Sequence, residues 1–350
     1  MKNIYFIILA ILAAAACTRN DLTKKDANGN PLAAKIPALT PLVVDTGHWI
    51  ITTNQASQAI EVYDPTVADW NTAAALKHSW YPNASNGFTN PTNGWGEPSD
   101  ARLRQIGTTQ YLGVTDSKGF CAEIPYPALT GKLWAIDLGA GVNPHAIELL
   151  PNGNVAIASA DSNWVRIYTA SQGTYSWNYN AVAYKLNQAH AALWDPGINR
   201  LWTTGEMPGV GKHILTALII GGTAAAPTLI EDSSRRVLLP GFWGHDVQPY
   251  YGDTNKLLVS MNVDSAGTGG VYVFDKTTKT FTAATGGANR DFVKAISIQT
   301  SGQMIETTPS NACTLNTWST PTVDFYSPSD TRTKTGACFY KARVFWWSYQ

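Results

Sequence analysis

Residues 144–159 read PHAIELLPNGNVAIAS: a histidine, an apolar run, a PNG turn and a second apolar run. Two short runs rich in branched residues around Asn-Gly read as a β-hairpin. The same grammar returns at AHAALWDPGINRLWTTGE from Ala189 and at GHDVQPYYGDTNKLLVSMNVD from Gly244. Without the histidine it returns at SDARLRQIGTTQYLGVTDSKGFCAEI from Ser99 and at VKAISIQTSGQMIETT from Val293. Aligned on the start of the first run, Asp100, His145, His190, His245 and Lys294 fall 45, 45, 55 and 49 residues apart. HWIITTNQASQAIEVYD, from His48, supplies the second and third strands of one more unit.

Repeats of this length, each with about four short strands separated by turn signals, predict an all-β fold: a β-propeller of six four-stranded blades. Six units fit residues 42–350 as one domain, with 98–138, 143–184, 188–238 and 243–285 forming one blade each. A seven-bladed ring with one degenerate blade, or a pair of β-sandwiches, are the alternatives. The first unit lacks an innermost strand, so ring closure must borrow one from an end of the chain. NTAAALKHSW, from Asn71, is the one stretch that invites a helix.

Composition narrows the function classes. Of 350 residues only 14% are charged, the formal net charge is zero, and there are 13 Trp and 15 Tyr. That lacks the basic face that nucleic-acid binding needs, and it is too apolar for disorder. Lys2 and the run Ile4 to Ala16, ending LAAAAC, make a signal peptide too short to span a bilayer comfortably. The cysteine after the alanines resembles a bacterial lipobox, which predicts a leader over residues 1–17 with lipidation at Cys17. Residues 18–41 are polar and proline-containing, as suits a flexible tether. An outer-membrane lipoprotein facing periplasm or exterior follows, meeting the membrane through its anchor alone. In an oxidising compartment Cys313 and Cys338 are a plausible pair, while Cys121 reads as a small buried strand residue.

In a propeller the first strand of each blade lines the central channel, so the aligned residues from five blades converge at one mouth. Three neutral imidazoles there suit one divalent metal, with His145, His190 and His245 as ligands, Asp100 or Asp246 adding a carboxylate, and one position left open. The plainer account has the histidines filling the channel and bonding to water and to one another. Lys294 favours an anionic ligand instead, because an ammonium repels a dication. With strict alternation Asp246, following His245, turns into its blade. Trp95 and Trp243 precede inner strands and Trp164 follows a loop; with Asp100, Glu206 and Asp161 they are the candidate ligand contacts. Any one tryptophan is also explained by packing between blades.

The His-apolar-PNGN-apolar unit, with NPHAIELLPNGN, HAALWD, GHDVQP and the ending YKARVFWW, resembles a six-bladed lipoprotein family of the cell envelope that carries no transferable activity. More distantly it is similar to oligogalacturonate lyases, which hold a metal on axial histidines, and to arylsulfotransferases, which use an axial histidine within an H…LPNGN phrase. The lyase likeness implies metal ligation by His145, His190 and His245; the lyases' further motifs and the transferases' arginine set are not evident here.

The expectation is therefore a monomeric, lipid-anchored propeller that binds a glycan or another anionic small molecule at a histidine-lined axial site. One alternative is a metal-assisted polysaccharide lyase or hydrolase. There the metal would acidify the proton beside a uronate carboxylate, with one of His145, His190, His245 or Lys294 as base. The other is a protein-interaction scaffold with a plugged axis. Nucleic acid is not an expected partner.

Overall fold

The computed structural model describes residues 47–89, 91, 93–172, 181–264, 267 and 269–350. The leader, the tether and lipidation at Cys17 lie outside the described residues. Alternating β-branched and aromatic residues build six four-stranded antiparallel sheets, one per blade.

The first blade contains β1 (Ile50–Asn54), β2 (Ala59–Tyr63) and β3 (Leu76–Trp80). The second is β4 (Pro98–Ile106), β5 (Thr109–Asp116), β6 (Phe120–Tyr126) and β7 (Trp134–Asp137). The third is β8 (Pro144–Leu149), β9 (Val155–Ser159), β10 (Trp164–Tyr168) and β11 (Ala181–Lys185). The fourth is β12 (Leu193–Asp195), β13 (Arg200–Glu206), β14 (His213–Gly222) and β15 (Pro227–Leu238). The fifth is β16 (Gly241–Pro249), β17 (Lys256–Asp264), β18 (Val271–Asp275) and β19 (Thr280–Ala283). The sixth is β20 (Ala295–Ile298), β21 (Met304–Thr307), β22 (Thr322–Tyr326) and β23 (Asp330–Thr333).

The missing innermost strand of the first blade comes from the C-terminal side. β24 (Phe339–Val344) pairs antiparallel with β1 and so joins the last segment of chain to the first blade. The count is six, as the repeat predicts. NTAAALKHSW forms turns and then β3, not a helix; only three-residue 3-10 turns, such as Ala84–Asn86, occur among the described residues. On β3, the outermost strand of the first blade, Lys77 pairs with Asp64 at 3.2 Å and His78 Nε2 lies 3.1 Å from the Tyr126 hydroxyl of the second blade.

The apolar core lies between neighbouring blades. Trp80, Phe88 and Phe120 pack the first blade on the second, and Trp134, Ile147 and Tyr168 pack the second on the third. Trp202 of the fourth blade meets Phe274 of the fifth edge-to-face at 5.8 Å and donates Nε1–H to Asp195 at 3.0 Å. Trp95 belongs to this packing: its ring sits against Trp80 and Phe120, and its Nε1 donates to the Gln58 carbonyl. Trp95 is partly buried, and Trp164 is buried beneath the Arg166 guanidinium at 4.1 Å.

Candidate functional site

Four of the six inner strands, β4, β8, β16 and β24, enter the axis through a β-bulge, and the bulges place the side chains there. In β8 the pairing jumps from Pro144–Ser159 to Ala146–Ala158, leaving His145 as the extra residue. In β16 it jumps from Gly244–Met261 to Asp246–Ser260, leaving His245. In β4 it jumps from Pro98–Asp116 to Asp100–Thr115, leaving Ser99. In β24 it jumps from Phe339–Asn54 to Ala342–Thr52, and Tyr340 follows Phe339 as His145 follows Pro144.

This corrects the alignment at two places. Ser99, not Asp100, occupies the histidine position of the second blade, and Tyr340 supplies that position in the first. A bulge also suspends strict alternation, because two successive residues oppose one. Asp246 therefore does not turn into its blade. Its Oδ1 accepts from Arg343 Nη2 at 2.7 Å, beneath His245 and along the axis.

His145, His190 and His245 do converge. Their ring centroids are 4.5 Å apart for His145–His190, 4.8 Å for His190–His245 and 6.1 Å for His145–His245. With Tyr340 and Lys294 they line a cavity of about 400 Å³ at one mouth of the channel. Asp161 and Glu97 stand on its rim with Trp318, whose ring is 45% exposed. Gln55 Oε1 accepts from Trp318 Nε1 at 3.0 Å, from Asn316 Nδ2 at 2.8 Å and from Ser319 Oγ at 3.2 Å, so one buried amide fixes the loop that carries the indole. The Cys313–Cys338 disulfide ties the same loop to the start of β24. Cys121 is buried and unpaired.

Hydrogen-bond partners settle the tautomers. His245 Nδ1 donates to the Lys294 carbonyl at 2.9 Å, so neutral His245 has a lone pair on Nε2. Tyr340 must then donate to His245 Nε2, at 3.1 Å, and accept from His145 Nδ1–H, at 3.2 Å. His190 Nδ1 donates to the Gln188 carbonyl at 2.7 Å. Nε2 of His145 and Nε2 of His190 are thus lone pairs, with no hydrogen-bond partner among the described residues. Neutrality is enforced chiefly by burial: His145 and His245 are held well below the usual imidazole range, and His190 is pushed down to about 4.

Lys294 is half-buried, and its ammonium makes one long contact, 3.4 Å to Asn262 Oδ1, and no ion pair among the described residues. Burial, then repulsion from Lys341, lowers its pKa to about 8. Below the cup the axis is closed by charge. Arg343 bridges Asp246 and Asp100, while Arg102 and Arg104 bond Glu148 at 3.2 and 3.0 Å. Buried Lys341 donates to the His145 carbonyl at 2.6 Å. Four buried cations thus face three buried carboxylates, Asp100, Glu148 and Asp246, while a fourth buried carboxyl, Glu123, is pushed well above the usual carboxylate range by burial and by Glu148 and so adds no charge. Asp100 lies in this network, outside the cup.

The other expected contacts separate. Trp243, 46% exposed, stands beside the cup with His190, His245, Asn262 and Lys294 around a smaller recess. Glu206, at the end of β13 opposite His213, is not part of the cup's lining. No three His, Cys, Asp or Glu side chains are grouped as a metal site among the described residues. Trp318, Tyr340 and Ser99 were not singled out from sequence. The prolines of EPSDA and NPHAI would have aligned Ser99 with His145; Trp318 sits in a loop without any repeat signal.

Fold and site together define a class, a six-bladed β-propeller with a polar cup at one axial mouth. Within it, the chain belongs to the family of unknown function DUF6528, whose model matches residues 2–306. A crystal structure of a protein of unknown function from Bacteroides caccae is similar at 10% identity and a TM-score of 0.51, over 85% of this chain and 98% of that one. A functionally unknown protein from Desulfotomaculum acetoxidans is similar at 10% identity and a TM-score of 0.47, over 85% and 80%. At 10% identity, the likeness to the Bacteroides caccae protein shows the fold alone. No curated protein matches the chain significantly.

Proposed function

We propose that the axial cup binds the carboxylate-bearing sugar of an acidic glycan, as a binding site without turnover. One observation carries the reading: the Lys294 ammonium opens into the cup with no carboxylate partner among the described residues, above an axis where buried cations outnumber carboxylates. An anion is the missing counter-charge. The rim refines the class. Asp161 and Glu97 would repel a multiply charged ligand such as a sulfate-rich chain, but they accept from hydroxyl groups. The two free imidazole Nε2 atoms also accept. A ligand with one carboxylate and several hydroxyls meets both demands, and the Trp318 ring offers an apolar face to a sugar ring.

Titration calorimetry of uronic-acid and neutral oligosaccharides against the purified full chain tests this. Lys294→Met should weaken the acidic ligand by roughly tenfold or more and abolish the acidic preference, since a charge-assisted hydrogen bond is worth about 1.5–3 kcal/mol. Trp318→Ala should weaken acidic and neutral sugars alike. Equal affinity for both classes in the wild type refutes the reading.

The metal-assisted lyase reading keeps one supporting observation, the two free imidazole lone pairs side by side. His245 has both nitrogens committed, and Lys294 stands next to them. A metal that stays stoichiometric through dialysis would move the assignment to metal-assisted chemistry.

A further inference from the structure

Beside the cup, with Trp243 and the smaller recess between them, lies a second recess of about 310 Å³. Its walls are Leu238, Leu239, Pro240 and Phe242, with Lys212 and His213 as the polar contributors. Leu238 is 53% exposed and Phe242 46% exposed, so apolar surface faces solvent here without cover from the described residues. Trp243 joins the two sites. It lies 5.9 Å from His213 and 6.0 Å from Phe242 on one side, and it walls the inner recess with His190 and Lys294 on the other. Its backbone is left-handed, with φ at +54°, which a bulky residue adopts only at a cost. Next to it, a Cβ on Gly244 would meet Thr204 Oγ1 at 2.0 Å, so a glycine is required for this kink. His213 Nδ1 is buried and has no hydrogen-bond partner among the described residues.

We propose that this groove holds a non-polar ring attached to the acidic sugar in the cup, so that the ligand class is an aryl-substituted uronoside. The inference rests on the axial reading above. Four apolar walls argue against a further sugar, whose hydroxyls would lose water and gain few partners. An aryl group leaves water without stranding a polar atom, and the bridging oxygen is available to the His213 ring, whose Nδ1 no described residue bonds, once that side chain turns towards the groove. Trp243 then contacts both halves of the ligand, which accounts for its exposure and its kinked backbone.

The test compares methyl β-D-glucuronoside, phenyl β-D-glucuronoside and phenyl β-D-glucoside by calorimetry on the full chain. The phenyl uronoside should bind at least about tenfold more tightly than the methyl uronoside. Phe242→Ala and Leu238→Asp should erase that difference while leaving methyl uronoside affinity unchanged; both positions are exposed, so both variants should fold. Equal affinity for the methyl and phenyl uronosides overturns the groove and leaves the axial reading standing. If the phenyl glucoside binds as tightly as the phenyl uronoside, the groove acts alone and the link to the cup is refuted. Binding of neither uronoside overturns both.

Discussion

Lys294 concentrates the conflict between stability and function in one side chain. Its ammonium titrates at about 8 in the folded chain against a reference of 10.5, so the unfolded chain holds this proton more tightly. The corresponding stability is fully present above pH 10.5, falls as pH drops towards 8, and is absent at neutrality. Lys294→Met should thus be more stable than wild type at pH 7, by about 1–2 kcal/mol after discounting for its partial exposure. The gain should vanish above about pH 10.5 in denaturant titrations. Binding runs the other way: affinity for a uronate should fall as pH rises through about 8 and the cation is lost. His190 has a related dependence at acid pH. Its folded pKa of about 4 lies under the reference 6.5, so stability is full above 6.5 and declines as pH falls from 6.5 to 4. His190→Gln should lose less stability across that window, by roughly 3 kcal/mol at most. Identical acid profiles would show that the imidazole is not held neutral by the fold. The histidines were legible in sequence because the residue is rare and recurs at one frame. Tyr340 does the same job from an aligned position and was invisible, since nothing in FYKARV distinguishes a channel tyrosine from a packed one.

At the scale of strands, the repeat read from hairpins carried the architecture, but period-two logic failed where the strands enter the axis. A bulge inserts a residue without a composition signal, and at Ser99–Asp100 the charged neighbour drew the alignment one place too far. The bulge in β16 lets His245 and Asp246 both face the channel, which alternation forbids. Ring closure shows a different limit. β24 pairs with β1 across nearly the whole chain, and a contact of that separation leaves no local pattern. The disulfide reinforces this junction by tying the Trp318 loop to β24. It closes a loop of 25 residues, which predicts a loss of roughly 3 kcal/mol for the Cys313→Ala, Cys338→Ala double variant. Because that loop carries Trp318, the variant should also bind glycan more weakly at temperatures where it remains folded. Lower stability with unchanged affinity would mean that the Gln55 hydrogen bonds hold the loop alone.

Across the whole molecule, the centre of the ring is charged while the apolar clusters lie between blades, so the axis depends on pairing more than on hydrophobic burial. The network spans blades that never share a sheet: Arg343 comes from the closing strand, Asp100 and Arg102 from the second blade, Glu148 from the third and Asp246 from the fifth. Each aspartate also ties its blade to the next, Asp100 accepting from Ile147 N at 3.1 Å and Asp246 from Ile296 N at 3.4 Å. Removing one member should cost far more than an exposed ion pair does, since its partners stay buried without counter-charge. Arg343→Met should lower stability by about 3–5 kcal/mol, read from denaturant midpoints. Arg343→Met with Asp246→Asn removes one cation and one carboxylate together, and the asparagine oxygen can still accept from Ile296. Three buried cations would then face two carboxylates, the same excess of one as in the wild type. The double variant should be more stable than Arg343→Met alone, a coupling that separated, independent sites do not show. If the two losses instead add, the guanidinium contributes by filling space and the blades are joined by their apolar faces. If the coupling appears, the closing strand holds the ring by charge as well as by its ladder, and the positive excess beneath the cup is a property of the closed ring.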